Sequence, residues 1–579
     1  MNSLITIYYW IILPNIYSKM NRLKIRCKKF EVIFEGTRLK ELILYSGNKY
    51  KFENGGISVV YPNEKINLED IEIKNNYIKK ITDEFYFIGI ETWLGEGILE
   101  VKIIDNEFIE IVPSIKSKRG KIKAVLWEIG GLKNFDIYVP FSQGIRLNHQ
   151  IPVDKLYFQW PFQWEFPIVN CSYKNENISI FCPENSFKFK VFSYEKNTTG
   201  ITVGIGIENF GPLDNKYSCG GTSYYLTAYK GPSKEIFEYY RKKFYPIKKV
   251  LKPEIKDRIK FAVSWCPVNY EILQFLKKIF KPQEVLIHLS DWRKYPYDSF
   301  YPVYQPNKEA KLFIEKAKKE GFNIFPHFNF LCCDQKLPVM SELENFICKN
   351  VNTGQTFGWA FNKKKFTSLT NQPYTSSSSW GIIPDLCFPV SQSSVEKIIK
   401  KGEISMAYIH QGLTKWREIL LEEISRNIKM LKLNGVFLDQ TLLTENLANC
   451  FVENLTPMEG MLKIEENLYK YFPDVMIAGE GLNELTSIYQ TFGQVHLPFS
   501  NFKNAEFLSN VTAKINKYIY RDDVKMLGYG NLDGKTEESI LRMKMHALQG
   551  ALPTITVLSP DEILNPVRPV KEEIERAKG

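Results

Sequence analysis

The 579-residue sequence has no Lys/Arg-rich block with interleaved aromatic residues, although its formal net charge is +11. Its 76 basic and 65 acidic residues are spread along the chain, as is typical of a solvated surface, and nucleic acid is not an expected partner. The ten cysteines include no CxxC pair, and Cys332 and Cys333 are adjacent. A zinc site and a disulfide framework are therefore not expected, and reduced thiols favour a cytoplasmic protein.

Residues 1–20 contain an apolar run that is long enough for the core of an export signal but too short to span a bilayer. No basic residue precedes this run, no small-residue cleavage site follows it, and Met20 begins a more ordinary N-terminal sequence. We therefore predict no stable membrane insertion and place residues 1–20 outside the fold. Export remains the alternative to a cytoplasmic location.

Residues 21–245 predict an antiparallel β-sandwich. Short segments alternate between apolar and polar residues, and Gly, Asn and Asp separate them, as in KKFEVIF, LKELILYS, GILEVKIID and GITVGIGIEN. A period of two places one face of each strand on a core, and the frequent turn residues exclude long helices.

Residues 246–579 predict a (β/α)8 TIM-type barrel, because strand and helix patterns alternate over this whole length. The clearest strand patterns are 259–265, 284–290, 323–329, GVFLD and VMIAGE. QVHLPF, VKMLGYG and PTITVL are fainter strand candidates, and PVKEEIERAKG is a closing helix. The irregular stretch at about 330–405 is predicted to be an insertion.

Two carboxylates follow neighbouring strands of this predicted barrel, at the ends where barrel enzymes assemble their sites. Asp439 ends the apolar run GVFLD, and the next helix pattern begins only near Pro457, so helix capping is the weaker explanation. Glu480 ends VMIAGE between two glycines, which permit a bend and close approach of a ligand. Apolar surroundings raise the pKa of such a carboxyl group, as a general acid requires. Glu484, four residues later in the same loop, is the alternative to Glu480 for this role.

Other residues near strand ends are candidates for binding a sugar. Trp265 or Trp292 would stack on the apolar face of a pyranose ring, and polar side chains would bond its hydroxyl groups. For each of these residues, the alternative to sugar binding is a purely structural role. The full set is Trp265, Asp291, Trp292, His327, Asn329, Gln440 and His496.

The order of the two carboxylates resembles that of the α-retaining barrel glycosidases, which include the α-amylase superfamily and the endo-α-N-acetylgalactosaminidases. These enzymes carry an Asp nucleophile after strand four and a Glu acid/base after strand five, and GVFLD and VMIAGE are the fourth and fifth predicted strands. The resemblance implies that Asp439 is the nucleophile, that Glu480 is the acid/base, that the reaction retains configuration, and that no cofactor is needed.

Two departures argue against an ordinary amylase: Phe437 stands where amylases have Arg, and no His-Asp pair follows strand seven. The N-terminal β-sandwich is more similar to that of α-galactosidases, α-glucosidases and GalNAc-releasing enzymes, or of an uncharacterised bacterial family related to them. The first two of these groups use Asp as the acid/base.

An oligosaccharide or glycoside is thus the expected partner, while the oligomeric state is not predicted. One alternative is a non-catalytic carbohydrate-binding protein on the same barrel. A metal-dependent barrel hydrolase or isomerase is less favoured, because the sequence has only six histidines and no HxH or HExxH motif. Its ligands would come from His288, Asp291, His327, Asp439, Glu480 and His496.

Overall fold

The computed structural model describes residues 22–245, 253–297, 299–356, 358–362, 367–368, 404–441, 444–496 and 505–579. Residues 1–20 and most of the predicted insertion at about 330–405 lie outside these ranges, so the structure does not test those predictions. No helix in the described ranges combines the length and the apolar composition of a membrane span.

The N-terminal region consists of antiparallel strands in three sheets, as the alternating pattern predicted. The four-stranded sheet contains Arg22–Arg26, Phe30–Glu35, Arg38–Leu44 and Lys49–Lys51. The six-stranded sheet contains Gly55–Tyr61, Glu64–Asn67, Ala124–Leu132, Lys155–Gln159, Lys190–Asn197 and Gly200–Glu208. The ten-stranded sheet contains Ile73–Thr82, Phe85–Thr92, Gly95–Ile104, Phe108–Ser117, Asp136–Val139, Ile145–Leu147, Ile168–Tyr173, Glu176–Phe181, Ser218–Gly220 and Tyr224–Lys230. A 3-10 turn at Leu68–Asp70 and the helix Lys234–Lys243 complete the region.

The two larger sheets pack against each other through their apolar faces. A Cβ atom on Gly97, in the ten-stranded sheet, would lie 3.3 Å from Ile57 Cδ1, in the six-stranded sheet. Trp127 is buried in the same core, and its indole N–H donates to the Thr37 carbonyl oxygen at 3.0 Å. The antiparallel character of this region is confirmed, whereas the boundary at residue 245 stays a prediction.

Eight parallel strands form a nearly closed barrel in the C-terminal region. All eight overlap predicted strands, although the sixth does so only at Gln494 and Val495. Each strand pairs with the next along the chain as far as the seventh, and the eighth pairs with the first. A single bridge between Leu527 and Leu552 spans the remaining gap. In chain order the strands are Phe261–Cys266, Val285–Leu289, Asn323–Asn329, Gly435–Asp439, Met476–Glu480, Phe492–Val495, Lys525–Gly528 and Thr554–Thr556.

The helices of the barrel depart from a complete eightfold repeat. The fifth and sixth strands are joined by a single 3-10 turn, Thr486–Ile488, instead of an α-helix. Tyr240 and Phe166 of the N-terminal region belong to the same buried cluster as Leu482 and Val495, so that region takes the place of the missing helix. The described α-helices are Pro253–Arg258, Tyr270–Ile279, Lys308–Lys319, Met340–Leu343, Thr414–Leu431, Pro457–Tyr471, Ala505–Val511, Ile515–Tyr520, Glu537–Gln549, Asp561–Leu564 and Arg568–Lys578, and further 3-10 turns lie at Pro282–Glu284 and Glu344–Phe346.

The described part of the predicted insertion adds a small antiparallel sheet beyond the third barrel strand. It contains Cys332–Asp334, Ile404–Tyr408, Gly358–Asn362 and Thr367–Ser368, in that spatial order. Tyr408 pairs with Cys332 in this sheet, which brings both residues to the carboxyl ends of the barrel strands.

Candidate active site

Asp439 and Glu480 lie side by side at the carboxyl ends of the fourth and fifth barrel strands. The register pairs Leu438 with Gly479, so the two carboxyl groups emerge at the same level and interact directly. Asp439 is 6% exposed and Glu480 is 4% exposed. Two buried carboxyl groups that interact directly repel each other strongly when both are ionised, so the arrangement favours one proton on the pair.

The surroundings raise the pKa of both carboxyl groups. Burial raises the pKa of Asp439 to about 6, against the hydrogen bond from Asn329. Burial, followed by the negative charge of Asp439, raises the pKa of Glu480, against the hydrogen bond from His496. Both shifts favour a state with one carboxyl group ionised and the other protonated over a state with both ionised, and acid/base catalysis uses such a pair.

Asn329, at the end of the third strand, fixes the orientation of Asp439. Its Oδ1 accepts from the backbone N–H groups of Leu331 at 3.1 Å and Cys332 at 2.8 Å. The amide nitrogen must therefore face the opposite way, where it donates to Asp439 Oδ2 at 2.7 Å and to Gln440 Oε1 at 3.0 Å. The predicted site residue Asn329 thus contacts the candidate nucleophile.

Two buried histidines continue this network beneath Asp439. His327 Nε2 lies 3.5 Å from Asp439 Oδ2, and His327 Nδ1 lies 3.2 Å from His288 Nε2. Burial lowers the pKa of His327 to about 3 and also lowers the pKa of His288, so both rings are neutral. The His288 ring stacks on Phe437 with centroids 3.9 Å apart. The position where amylases carry Arg is thus occupied by an aromatic ring that supports a neutral imidazole.

Glu480 is held by groups from the fourth, sixth and seventh strand ends. The backbone N–H of Gln440 donates to Glu480 Oε2 at 2.9 Å, and His496 Nε2 lies 3.2 Å from Glu480 Oε1. Tyr529 hydrogen-bonds Glu480, and its ring centroid lies 4.1 Å from that of His496. The predicted site residues Gln440 and His496 therefore both reach the candidate acid/base.

Trp265 forms a half-buried aromatic wall beside the histidine pair. Its ring centroid lies 4.9 Å from that of His288 and 5.6 Å from that of His327. Tyr297 and Tyr529 pack edge-on against it at 5.4 and 6.3 Å. An aromatic surface next to two carboxyl groups is suited to a sugar ring.

No family model matches the chain, and no curated protein matches it in sequence. Its fold is similar to that of the α-N-acetylgalactosaminidase NagBb from Bifidobacterium bifidum. The GalNAc complex of NagBb has a TM-score of 0.66 and 10% identity, with 96% of this chain and 92% of that chain covered. The complex with Gal-NHAc-DNJ has a TM-score of 0.64 and 11% identity, with the same coverage of both chains. A GH31 family sulfoquinovosidase from E. rectale has a TM-score of 0.54 and 10% identity, with 96% of this chain and 83% of that chain covered.

The chain has an α-glycosidase fold. The resemblance to α-retaining barrel glycosidases is therefore confirmed at the level of the fold. The roles of individual residues stay predictions at these identities.

Three carboxylate and aromatic candidates differ from these residues in their exposure or in their partners. Asp291 is exposed. Trp292 is fully buried, and its indole N–H donates to the His327 carbonyl oxygen at 3.0 Å, so Trp292 supports the third strand and offers no exposed face for a sugar. Glu484, the alternative to Glu480, accepts hydrogen bonds from Trp160 and Tyr240 of the N-terminal region instead of meeting Asp439.

Sequence reasoning missed four residues of the site: Tyr297, Cys332, Tyr408 and Tyr529. The thiol of Cys332 lies 3.0 Å from Gln440 Oε1, and Gln440 Nε2 donates to the Tyr408 hydroxyl at 3.5 Å. Tyr529 directly follows the seventh strand, so the rule that barrel sites form at the carboxyl ends of strands predicts it as a site residue. Tyr408 lies just after the predicted insertion and Tyr297 lies in a loop, and the sequence gives no such signal at either position.

No group of three or more His, Cys, Asp and Glu side chains is placed to hold a metal ion within the described ranges. His288 and His327 direct ring nitrogens at each other, and His327 and His496 face different carboxyl groups.

Replacing Asp439 with Asn is expected to stabilise the fold at neutral pH. The folded-state pKa of about 6 lies above the ordinary value of 3.8, so burial of the ionised form costs stability above pH 6 and nothing below pH 4. Asn keeps the contact with Asn329 without the charge. We expect the melting temperature to rise by about 2 to 5 °C at pH 8 and to be unchanged at pH 4. A lower melting temperature at pH 8 in differential scanning fluorimetry contradicts this view of the site.

Proposed function

We propose that the protein is a glycoside hydrolase that cleaves an α-linked glycoside with retention of configuration. The observation that carries this proposal is the pair of buried carboxyl groups, Asp439 and Glu480, in direct contact at adjacent strand ends of an α-glycosidase fold. A protein that only binds sugars gains nothing from placing two like charges together in a buried site.

Asp439 is the proposed nucleophile, because its environment supports an ionised carboxylate with a fixed orientation. Asn329 and His327 both contact Oδ2, so Oδ1 is the oxygen that attacks the anomeric carbon. The bond to the leaving group breaks as the bond to Oδ1 forms, which gives a glycosyl-enzyme ester. The hydrogen bond from the Asn329 amide to Oδ2 is kept through both steps. It stabilises the carboxylate that forms again when the ester is hydrolysed.

Glu480 is the proposed acid/base. The charge of Asp439 helps to keep Glu480 protonated before the reaction, and that proton goes to the leaving oxygen. Formation of the ester removes the charge of Asp439, so the pKa of Glu480 falls and Glu480 becomes the base that activates water. His496 and the backbone N–H of Gln440 then hold the Glu480 carboxylate.

The contact between the two carboxyl groups favours retention over inversion. Retaining enzymes hold these groups about 5 to 5.5 Å apart, and inverting enzymes about 6.5 to 9.5 Å apart to admit a water molecule. A pair in contact needs only a small opening to admit the scissile bond of a substrate in the retaining geometry.

A terminal α-linked N-acetylgalactosamine is the first substrate to test, because NagBb is an α-N-acetylgalactosaminidase with a GalNAc complex. Purified protein is to be assayed with aryl α- and β-glycosides of N-acetylgalactosamine, galactose, glucose and sulfoquinovose, and the anomer first released is to be read by NMR. We expect hydrolysis of one α-glycoside, with the α-anomer released first. Cleavage of β-glycosides alone, or a β-anomer as first product, contradicts the proposal. Folded protein that binds these sugars without cleaving any of them supports the carbohydrate-binding alternative.

The pH dependence of kcat/KM is expected to be bell-shaped. Asp439 must be ionised, so activity falls as the pH drops below about 6, the pKa to which burial raises this group. Glu480 must be protonated, so activity also falls above its raised pKa, and the two limbs belong to the coupled pair. In Glu480→Gln the alkaline limb is expected to disappear with an activated aryl substrate. A wild-type profile that keeps rising between pH 6 and pH 10 contradicts the assignment of Glu480.

A further inference from the structure

The two loops that follow the catalytic strands are both attached to the N-terminal β region. Asn446 makes the attachment after the fourth strand, and Glu484 makes it after the fifth. Neither residue has a part in the proposed chemistry, and both are buried.

Asn446 is surrounded by hydrogen-bonding groups of the N-terminal region. Its backbone N–H donates to Gln159 Oε1 at 2.8 Å. Its Nδ2 donates to Glu208 Oε2 at 2.9 Å and to the Asn209 carbonyl oxygen at 2.7 Å, while its Oδ1 accepts from the backbone N–H of Gly211 at 3.2 Å. The whole side chain of Asn446 thus serves to attach one loop of the barrel to the N-terminal sheets.

The backbones of the two regions also meet closely at this point. A Cβ atom on Gly211 would lie 2.0 Å from the carbonyl oxygen of Leu447 and 2.9 Å from Ala448 Cα. Glycine is therefore required at residue 211, because a side chain there would push the loop away.

Glu484 makes the second attachment, four residues after Glu480. It accepts from the indole N–H of Trp160 at 2.9 Å and from the Tyr240 hydroxyl at 2.6 Å. The backbone N–H of Glu484 donates to the carbonyl oxygen of Glu165 at 2.9 Å. Glu484 therefore attaches the short loop between the fifth and sixth strands to the N-terminal region through both its side chain and its backbone.

A charged side chain reinforces this second attachment from behind. The ammonium group of Lys190 lies 3.7 Å from the ring centroid of Trp160. Burial raises the pKa of Glu484, and the charge of Lys190 opposes that rise. Breaking the contacts of Glu484 would leave a buried carboxyl group without its donors, so the arrangement resists displacement.

The two loops are joined to each other at the catalytic pair. The hydroxyl of Thr441 donates to the carbonyl oxygen of Glu480 at 2.9 Å, and the backbone N–H of Gln440 donates to Glu480 Oε2 at 2.9 Å. A shift of either loop therefore changes the position of Glu480 relative to Asp439, and a misplacement of about 1 Å is enough to lower a rate 100-fold.

We propose that Asn446 and Glu484 are positioning residues, through which the N-terminal β region holds the two catalytic carboxyl groups in their working arrangement. In this view the N-terminal region is part of the framework of the active site and not a separate sugar-binding module. The effect expected on kcat rests on the proposed function.

The test compares Asn446→Ala with Asn516→Ala in the full-length chain. Asn516 is a matched control, because it too is buried in the barrel region and donates to a buried carboxylate of the N-terminal region, Glu165 Oε2, at 2.5 Å. It lies in the helix Ile515–Tyr520, between the sixth and seventh strands. We expect both variants to melt at similarly lower temperatures, kcat to fall at least 30-fold in Asn446→Ala alone, and KM to change less than threefold in both.

Glu484 is tested by two substitutions that differ in what they retain. Gln accepts from Trp160 and donates to the Tyr240 hydroxyl oxygen, so Glu484→Gln is expected to keep most of the activity. Glu484→Ala removes both contacts and is expected to lower kcat at least tenfold. If Asn446→Ala yields no folded protein, Gln159→Met replaces it. This substitution keeps the volume but removes the acceptor of the Asn446 backbone N–H and a donor to Glu208, and it is expected to lower kcat three- to tenfold.

Hydrogen–deuterium exchange gives a readout that needs no substrate. Protection of peptides covering 444–455 is expected to fall at least tenfold in Asn446→Ala and to be unchanged in Asn516→Ala. Protection of peptides covering 481–491 is expected to fall at least tenfold in Glu484→Ala. Unchanged protection in Asn446→Ala, or equal loss of kcat in Asn446→Ala and Asn516→Ala, overturns the inference. If the wild type cleaves no glycoside, the proposed function fails while the exchange data still decide the positioning role.

Discussion

Asp439→Ala is expected to lower kcat for an aryl α-glycoside by about 10⁴-fold or more, which corresponds to about 5.5 kcal/mol of lost transition-state stabilisation. The variant keeps the acid/base and the sugar-binding wall but has no group that forms the glycosyl-enzyme. Alanine also leaves a space beside Asn329, whose amide donates to Asp439 in the wild type. A small anion can enter this space.

Azide is therefore expected to restore part of the activity of Asp439→Ala. It attacks the anomeric carbon from the face that the carboxylate used, so the product is a β-glycosyl azide, which NMR identifies. Glu465→Gln is the matched control, because Glu465 is also fully buried, and burial raises its pKa to about 8. It lies on the helix Pro457–Tyr471, where Gln490 donates to it at 2.6 Å, and its replacement is expected to change kcat less than threefold. Full activity of Asp439→Ala, or an α-glycosyl azide as its product, contradicts the role of Asp439.

The barrel strands and the two carboxyl groups were predictable because one local rule determines them. A short apolar run such as that of Gly435–Asp439 is buried on both faces, and a charged side chain is tolerated only where the strand emerges. Glu480 satisfies the same rule, and the parallel register then brings it to Asp439. Both positions follow from residues that are neighbours in the sequence.

Contacts between distant segments were not predictable in this way. Trp265 and Trp292 both lie near strand ends, but only the structure shows that Trp292 is enclosed by Tyr304 and Phe328 while Trp265 borders the site. The absence of a helix between the fifth and sixth strands depends on cover from the N-terminal region, more than 200 residues earlier in the chain. Such cover leaves no periodic pattern in the local sequence.

Phe437 shows how a departure in sequence becomes intelligible in the structure. The Arg that amylases carry at this position would bring a positive charge to the nucleophile. Here the Phe437 ring supports His288, which contacts His327, which in turn faces Asp439. Asp439 therefore faces the neutral imidazole of His327 where amylases have a cation, and burial raises its pKa.

Glu480→Gln is expected to show an effect that depends on the leaving group. Gln cannot donate the proton that an alkoxide leaving group needs, so hydrolysis of an alkyl α-glycoside is expected to fall about 10³- to 10⁴-fold. A dinitrophenolate group needs no such proton, so the first step with a dinitrophenyl α-glycoside is expected to keep most of its rate. Release of the ester still requires a base, so the glycosyl-enzyme accumulates and stopped-flow absorbance shows a burst of dinitrophenol.

Azide distinguishes the two carboxyl groups through the anomer that it forms. In Glu480→Ala, azide reacts with the glycosyl-enzyme on Asp439 from the opposite face, so the product is an α-glycosyl azide, whereas Asp439→Ala gives the β-anomer. Glu465→Gln again serves as the control, with no burst and no azide product. The same anomer from both variants means that the two groups do not have separate roles as nucleophile and acid/base. Each substitution removes the carboxyl group from one face of the sugar and lets azide reach the anomeric carbon from that face. Opposite anomers can therefore arise only if Asp439 attacks from one face and Glu480 acts from the other.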